Sequence, residues 1–72
     1  MDKPTPEQIK QARKQAKLSQ DNAAALVHAT RKAWLRWEKK AEENEAREMP
    51  LASWELFLLK TGQHPALALM TD

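Results

Sequence analysis

Residues 18–40, LSQDNAAALVHATRKAWLRWEKK, hold two helical patterns with only His28 and Ala29 as a turn between them. A connection this short forces the two helices to pack as neighbours. Each pattern carries its own start signal. Ser19 is a capping residue, and acidic Asp21 falls in the first turn, where the helix dipole favours a carboxylate. Thr30 offers the same capping chemistry just before Arg31. In the earlier helix, which runs to about Val27, the inward residues are Ala23, Leu26 and Val27, and Ala24 is small where two helices must approach closely. In the later one, Trp34 and Trp37 are three apart and share a face.

Paired indoles can stack on bases or fill a core. Size favours the core. The chain has 72 residues and no cysteine, so it is one small domain without disulfides or a Cys-based zinc site. Its stability must come from helix packing and self-association, with the largest side chains supplying most of the burial. With the tryptophans turned inward, the opposite face presents Arg31, Lys32, Leu35, Arg36 and Lys39.

An earlier helix starts at Thr5. Thr5 can cap, Pro6 suits the first helical position, and Gln8 completes a capping box. Ile9, Ala12 and Ala16 form a narrow apolar stripe with Arg13 beside it, and Lys10, Lys14 and Lys17 lie on the wetter faces. The run KKAEENEARE, residues 39–48, is open to two readings. It lacks Gly and Pro, so the third helix can continue into it, or its acids form a solvated loop. A bend is expected before Met49-Pro50.

The last helix runs from about Pro50 to Thr61, with Lys60 in its last turn, Gly62 as its cap and Pro65 as a stop. Leu51, Trp54, Phe57 and Leu58 lie on one side, with Leu56 and Leu59 nearby. So much apolar girth calls for more than one partner, the second being another subunit. The tail QHPALALMTD has three open fates: packing back on this helix, joining a dimer interface, or fraying. The expected architecture is an all-α, compact four-helix domain over residues 1–62, with room for a short extra helical turn, a helix-turn-helix at 19–40, and a tail at 63–72.

Charge is unevenly spread. Residues 1–40 hold ten Lys/Arg and four Asp/Glu, a balance of +6, whereas residues 41–72 hold two and six, a balance of −4. The basic front suits a polyanionic partner or a solvated helix surface. No apolar stretch approaches the roughly 20 residues that cross a bilayer, and the first residues lack the pattern of a secretory signal. A soluble cytoplasmic protein is expected. His28 reads as a turn residue and His64 as a surface one, without metal-ligand spacing. Ser19 and Ser53 lack a base and a nucleophile turn. A single glycine excludes a Gly-rich phosphate loop. Glu42, Glu43, Glu45 and Glu48 read as a solvated face. Neither an enzyme nor a cofactor is expected.

The helix that starts after Ser19 can lie across a nucleic-acid backbone with its N-terminus toward a phosphate, while the helix that starts at Arg31 enters the major groove. Arginine can grip guanine through two acceptors, and Leu35 can touch a thymine methyl.

The span resembles the Cro/phage-repressor, or XRE-like, type of helix-turn-helix. Leu18-Ser19-Gln20, Ala24, Val27, Thr30 and Trp34-x-x-Trp37-Glu38 carry the likeness. It implies base reading by Thr30, Arg31, Lys32, Leu35 and Arg36. It implies phosphate or flank contacts by Ser19, Gln20, Lys39 and Lys40, with Arg47 reaching the backbone or minor groove. It also implies an ion pair between Arg13 and Glu38 that orients the first helix on the third. Two departures stand out. The family's turn usually has Gly where this chain has His28, and Gly often follows the third helix where this chain has Lys40. The ending MPLASWELFLLKTGQHP is similar to small phage regulators of the anti-CRISPR-associated type.

The expected function is therefore a homodimeric, sequence-specific repressor on a near-palindromic double-stranded DNA operator. The competing expectation is an antitoxin or other protein-interaction module, which uses Leu56, Leu59, Leu67 and Leu69 against a protein partner. The first expectation assigns those same leucines to a dimer interface. A third reading, nonspecific coating of nucleic acid, needs exposed aromatics.

Overall fold

A computed structural model describes residues 1–66, so Leu67 and Leu69 of the expected interface lie outside the described residues. Four helices follow one another: α1 Pro6–Gln15, α2 Gln20–Leu26, α3 Arg31–Trp37 and α4 Leu51–Lys60. No strand occurs among the described residues, and the domain is all-α. No helix among them is long and apolar enough to cross a membrane.

Side chains that the sequence marks as caps start the first three helices. The Thr5 hydroxyl accepts from the Gln8 amide at 3.1 Å, and the Gln8 side chain accepts from the Thr5 amide at 2.9 Å. This reciprocal box satisfies two of the donors that a helix start leaves open. Ser19 accepts from Asn22 N, and Thr30 from Ala33 N, both at 3.1 Å. Pro50 opens α4 without a side-chain cap.

Helices α1, α2 and α4 end in one pattern. Each has a left-handed residue after its cap, at Lys17 (φ 59°), His28 (φ 58°) and Gly62 (φ 73°). The two amides that follow the cap turn back onto the last-turn carbonyls. At the α2 end His28 N reaches Ala25 O at 3.2 Å, and Ala29 N reaches Ala24 O at 2.9 Å. This closure reverses the chain between α2 and α3. His28 adopts the backbone that the resembled family gives to glycine. A side chain there costs about 1–2 kcal/mol, partly offset by the smaller unfolded-state entropy of a non-glycine residue. His28 is exposed, so its side chain adds little packing. His28→Gly is expected to stabilise the domain by about 0.5–1 kcal/mol in urea unfolding. A loss of stability would mean that the imidazole makes a contact worth more than the strain.

The core joins all four helices. Ile9 and Ala12 come from α1, Ala23 and Ala24 from α2, and Trp34 and Trp37 from α3. Trp54, Phe57 and Leu58 come from α4, with Val27 and Met49 from the connections. Trp34 is fully buried, its ring 5.0 Å from Phe57 and 5.6 Å from Trp37 in an edge-on arrangement. Aromatic edges meet aromatic faces there, which adds to area burial. Met49 and Trp54 occupy the positions of a hydrophobic staple around the start of α4, and both are buried. Lys60 donates to Leu26 O at 2.8 Å, placing a cation at the C-terminal end of α2. Gln63 donates to Ala12 O at 3.1 Å, which ties the end of α4 to α1.

Of the two readings of residues 39–48, the structure shows the non-helical one: α3 ends at Trp37 and does not continue into them. Continuation requires Lys40 N to bond Arg36 O, but that amide donates to the Glu43 carboxylate at 2.9 Å. Arg36 O instead accepts Lys39 N at 3.3 Å and the returning Arg47 N at 3.2 Å. With only Ala41 and Ala46 as apolar residues before Met49, a longer helix would have had no face to bury. The structure corrects one expectation: His64 is not a surface residue. Its side chain is 5% exposed, with Nε2 3.4 Å from Glu55 Oε2 and Nδ1 accepting from Ala66 N at 3.1 Å.

Candidate nucleic-acid interface

One buried carboxylate ties α3 to α1 and α2. Glu38, the residue that ends α3, has a side chain only 6% exposed. Arg13 of α1 grips it twice, Nε to Oε2 at 2.6 Å and Nη2 to Oε1 at 3.2 Å. The Trp34 indole N–H donates to Oε2, and the Gln20 amide of α2 donates to Oε1 at 3.2 Å. Arg13 also donates to Leu18 O at 3.1 Å. Three helices thus meet on one carboxylate, whose lone pairs are taken up by charged or strongly polar donors.

Burial alone would raise the Glu38 pKa. The hydrogen bonds from Arg13 and Trp34, the Arg13 charge and the Gln20 amide outweigh it and hold the carboxyl below its ordinary value. The ion pair that the family likeness implied is therefore present as a bidentate contact. Its partners Trp34 and Gln20 belong to the same network.

With Trp34 and Trp37 pinned inward, α3 turns its other face out. Arg31 and Lys32 are exposed there, and Leu35 and Arg36 are half-buried. Thr30 is exposed at the start of α3, with its hydroxyl oxygen engaged by Ala33 N. The five residues expected to read bases thus lie along one side and one end of a seven-residue helix. Among the described residues, neither Arg31 nor Lys32 forms an ion pair.

The residues expected to touch phosphates are more scattered. Ser19 is exposed at the start of α2. Gln20 is half-buried, with one amide hydrogen committed to Glu38. Lys39 is half-buried and donates to Asn44 O at 3.4 Å, whereas Lys40 is exposed. Arg47 is exposed on the return limb of the connection, its guanidinium 3.4 Å from Ala46 O. Lys39, Lys40 and Arg47 therefore flank the C-terminal end of α3, while Ser19 and Gln20 sit at the start of α2.

Two features escaped the sequence reading. One is the approach of Glu45 to Arg36, Oε1 to Nη2 at 4.0 Å, across the connection. No local spacing signals it, because it depends on the chain turning back at Arg47. The other is Met49, which the pairing with Trp54 around Pro50 would have marked as core. On α4, Leu56 packs partly against the core, whereas Leu59 is half-buried and lies outside that cluster. No protein-family model matches this chain, and no curated protein matches it significantly.

Proposed function

We propose that this domain is a sequence-specific DNA-binding regulator, a homodimeric repressor that places α3 in the major groove of a near-palindromic operator. The observation that carries this reading is the outward face of α3. Arg31 and Lys32 stand exposed, without an ion pair among the described residues, on a helix held from behind by buried indoles and the Glu38 network. Rigid presentation matters because side chains discriminate base edges only when their backbone is fixed.

In this reading Thr30, Arg31, Lys32, Leu35 and Arg36 meet the bases. Ser19, Gln20, Lys39, Lys40 and Arg47 position the helix through phosphates. A seven-residue helix spans few base pairs, so two copies on one face of the duplex supply the missing specificity. Repression follows from occlusion of the promoter.

In vitro selection from random duplexes with the full chain tests the proposal. The expected consensus is near-palindromic, with half-sites about 34 Å apart. Selection that enriches no sequence would overturn the reading. A single-copy footprint would remove the dimer.

A second reading makes α4 a protein-docking face, as in an antitoxin. Leu59 favours it, since it is an aliphatic side chain outside the core cluster. That reading leaves the basic face of α3 without a role.

A further inference from the structure

Arg36 differs from the other cations of its helix. Its side chain is 29% exposed and its Nε is buried without a hydrogen-bond partner among the described residues. Its Nη2 lies 4.0 Å from Glu45, close enough for attraction and too far for a hydrogen bond. Among the described residues the guanidinium thus faces one carboxylate by charge alone, with its directional donors unspent.

Glu45 does not approach by chance of a loose loop. The connection that carries it is fastened at both ends. It leaves α3 through the buried Glu38 and returns through the Arg47 amide on Arg36 O, at 3.2 Å. Met49, fully buried, then locks it into the core. Glu45 itself sits in the left-handed region (φ 65°), a conformation that a non-glycine residue keeps only when its surroundings impose it. Glu42, Glu43 and Glu48 are exposed on the same connection.

We propose that Glu45 is a specificity-determining residue, an internal anion that occupies Arg36 until an operator offers something better. The inference rests on the DNA-binding reading above. Nonspecific binding is almost wholly attraction to phosphates. On a random duplex Arg36 gains little by leaving Glu45, and the carboxylate repels the backbone. On an operator, paired acceptors on a base edge give Arg36 the two directional bonds that Glu45 does not. The exchange is favourable only at the right sequence. Glu45 therefore weakens nonspecific complexes more than specific ones.

The test is a four-chain cycle of the full-length protein: wild type, Glu45→Gln, Arg36→Ala and the double variant. Each is titrated against the selected duplex and against a scrambled one. Glu45→Gln is expected to raise affinity for the scrambled duplex by about 2–5-fold at low salt and to raise operator affinity less. In the Arg36→Ala background that gain is expected to shrink to the part that comes from repulsion between the carboxylate and the phosphates. An unchanged scrambled-duplex affinity overturns the proposal. So does an equal gain with and without Arg36, which would reduce Glu45 to plain repulsion. Loss of all binding by the wild type would remove the DNA reading itself, whereas a wild type that selects its operator with an inert Glu45 removes only this inference. A readout without DNA stands beside the cycle: the Arg36 Nε–H resonance is expected to move in Glu45→Gln, and a fixed resonance overturns the contact.

Discussion

Glu38→Ala is expected to destabilise the domain by about 3–5 kcal/mol, because it leaves the charge of a buried partner uncompensated. The side chains of Arg13 and Glu38 are 14% and 6% exposed. Removing the carboxylate strands the Arg13 guanidinium and leaves the Trp34 indole N–H and the Gln20 amide without their acceptor. A domain of 72 residues has roughly 4–11 kcal/mol of stability in total, so the loss is a large share of it. Urea unfolding followed by tryptophan fluorescence measures this directly. A loss below about 1 kcal/mol would mean that water or a rearranged side chain replaces the carboxylate.

The same group fixes an acid limit. The Glu38 carboxyl titrates below its ordinary value of 4.5 when folded. A group with a depressed folded pKa contributes stability above its unfolded pKa and loses it as pH falls through the folded one. Wild-type stability should therefore drop below about pH 4.5, and Glu38→Gln should flatten part of that drop. Equal slopes in the two chains would assign the acid sensitivity to other carboxylates.

Legibility from sequence follows the range of the interaction. Caps and turns are local, so Thr5, Ser19, Thr30 and Gly62 announce their roles within four residues. The burial of Trp34 and Trp37 is legible from their spacing and from the need of a small chain to bury its largest groups. The end of α3 is not. Residues 39–48 are good helix formers, and what stops them is a competition for Arg36 O won by Arg47 N. That bond joins residues eleven apart and depends on the return of the chain toward the buried Met49. The burial of His64 is hidden for a similar reason: its approach to Glu55 on α4 follows from the way the chain turns after Gly62, which no local spacing signals. Of the candidate interface, the basic face of α3 is readable from periodicity. The pairing of Arg36 with Glu45 depends on the fold of the connection and leaves no trace in spacing.

The apparent operator affinity is expected to fall about 1,000-fold between about 50 and 200 mM salt, with a log–log slope near −5. The estimate comes from the cations beside the end of α3. Lys39, Lys40 and Arg47 form no ion pair with a carboxylate among the described residues. A dimer presents each twice, which gives about six phosphate contacts at roughly −0.9 per contact. A bound monomer would show about half that slope, so the salt titration also reports copy number. Lys39 has one donor on Asn44 O, and an ammonium has more than one to give. Lys39→Ala should therefore reduce the magnitude of the dimer slope by about 2 while leaving the selected consensus unchanged. If the slope keeps its value, Lys39 serves only the connection, and the phosphate contacts belong to Lys40 and Arg47. A slope near zero in the wild type would remove phosphate neutralisation, and with it DNA, from the work of this domain.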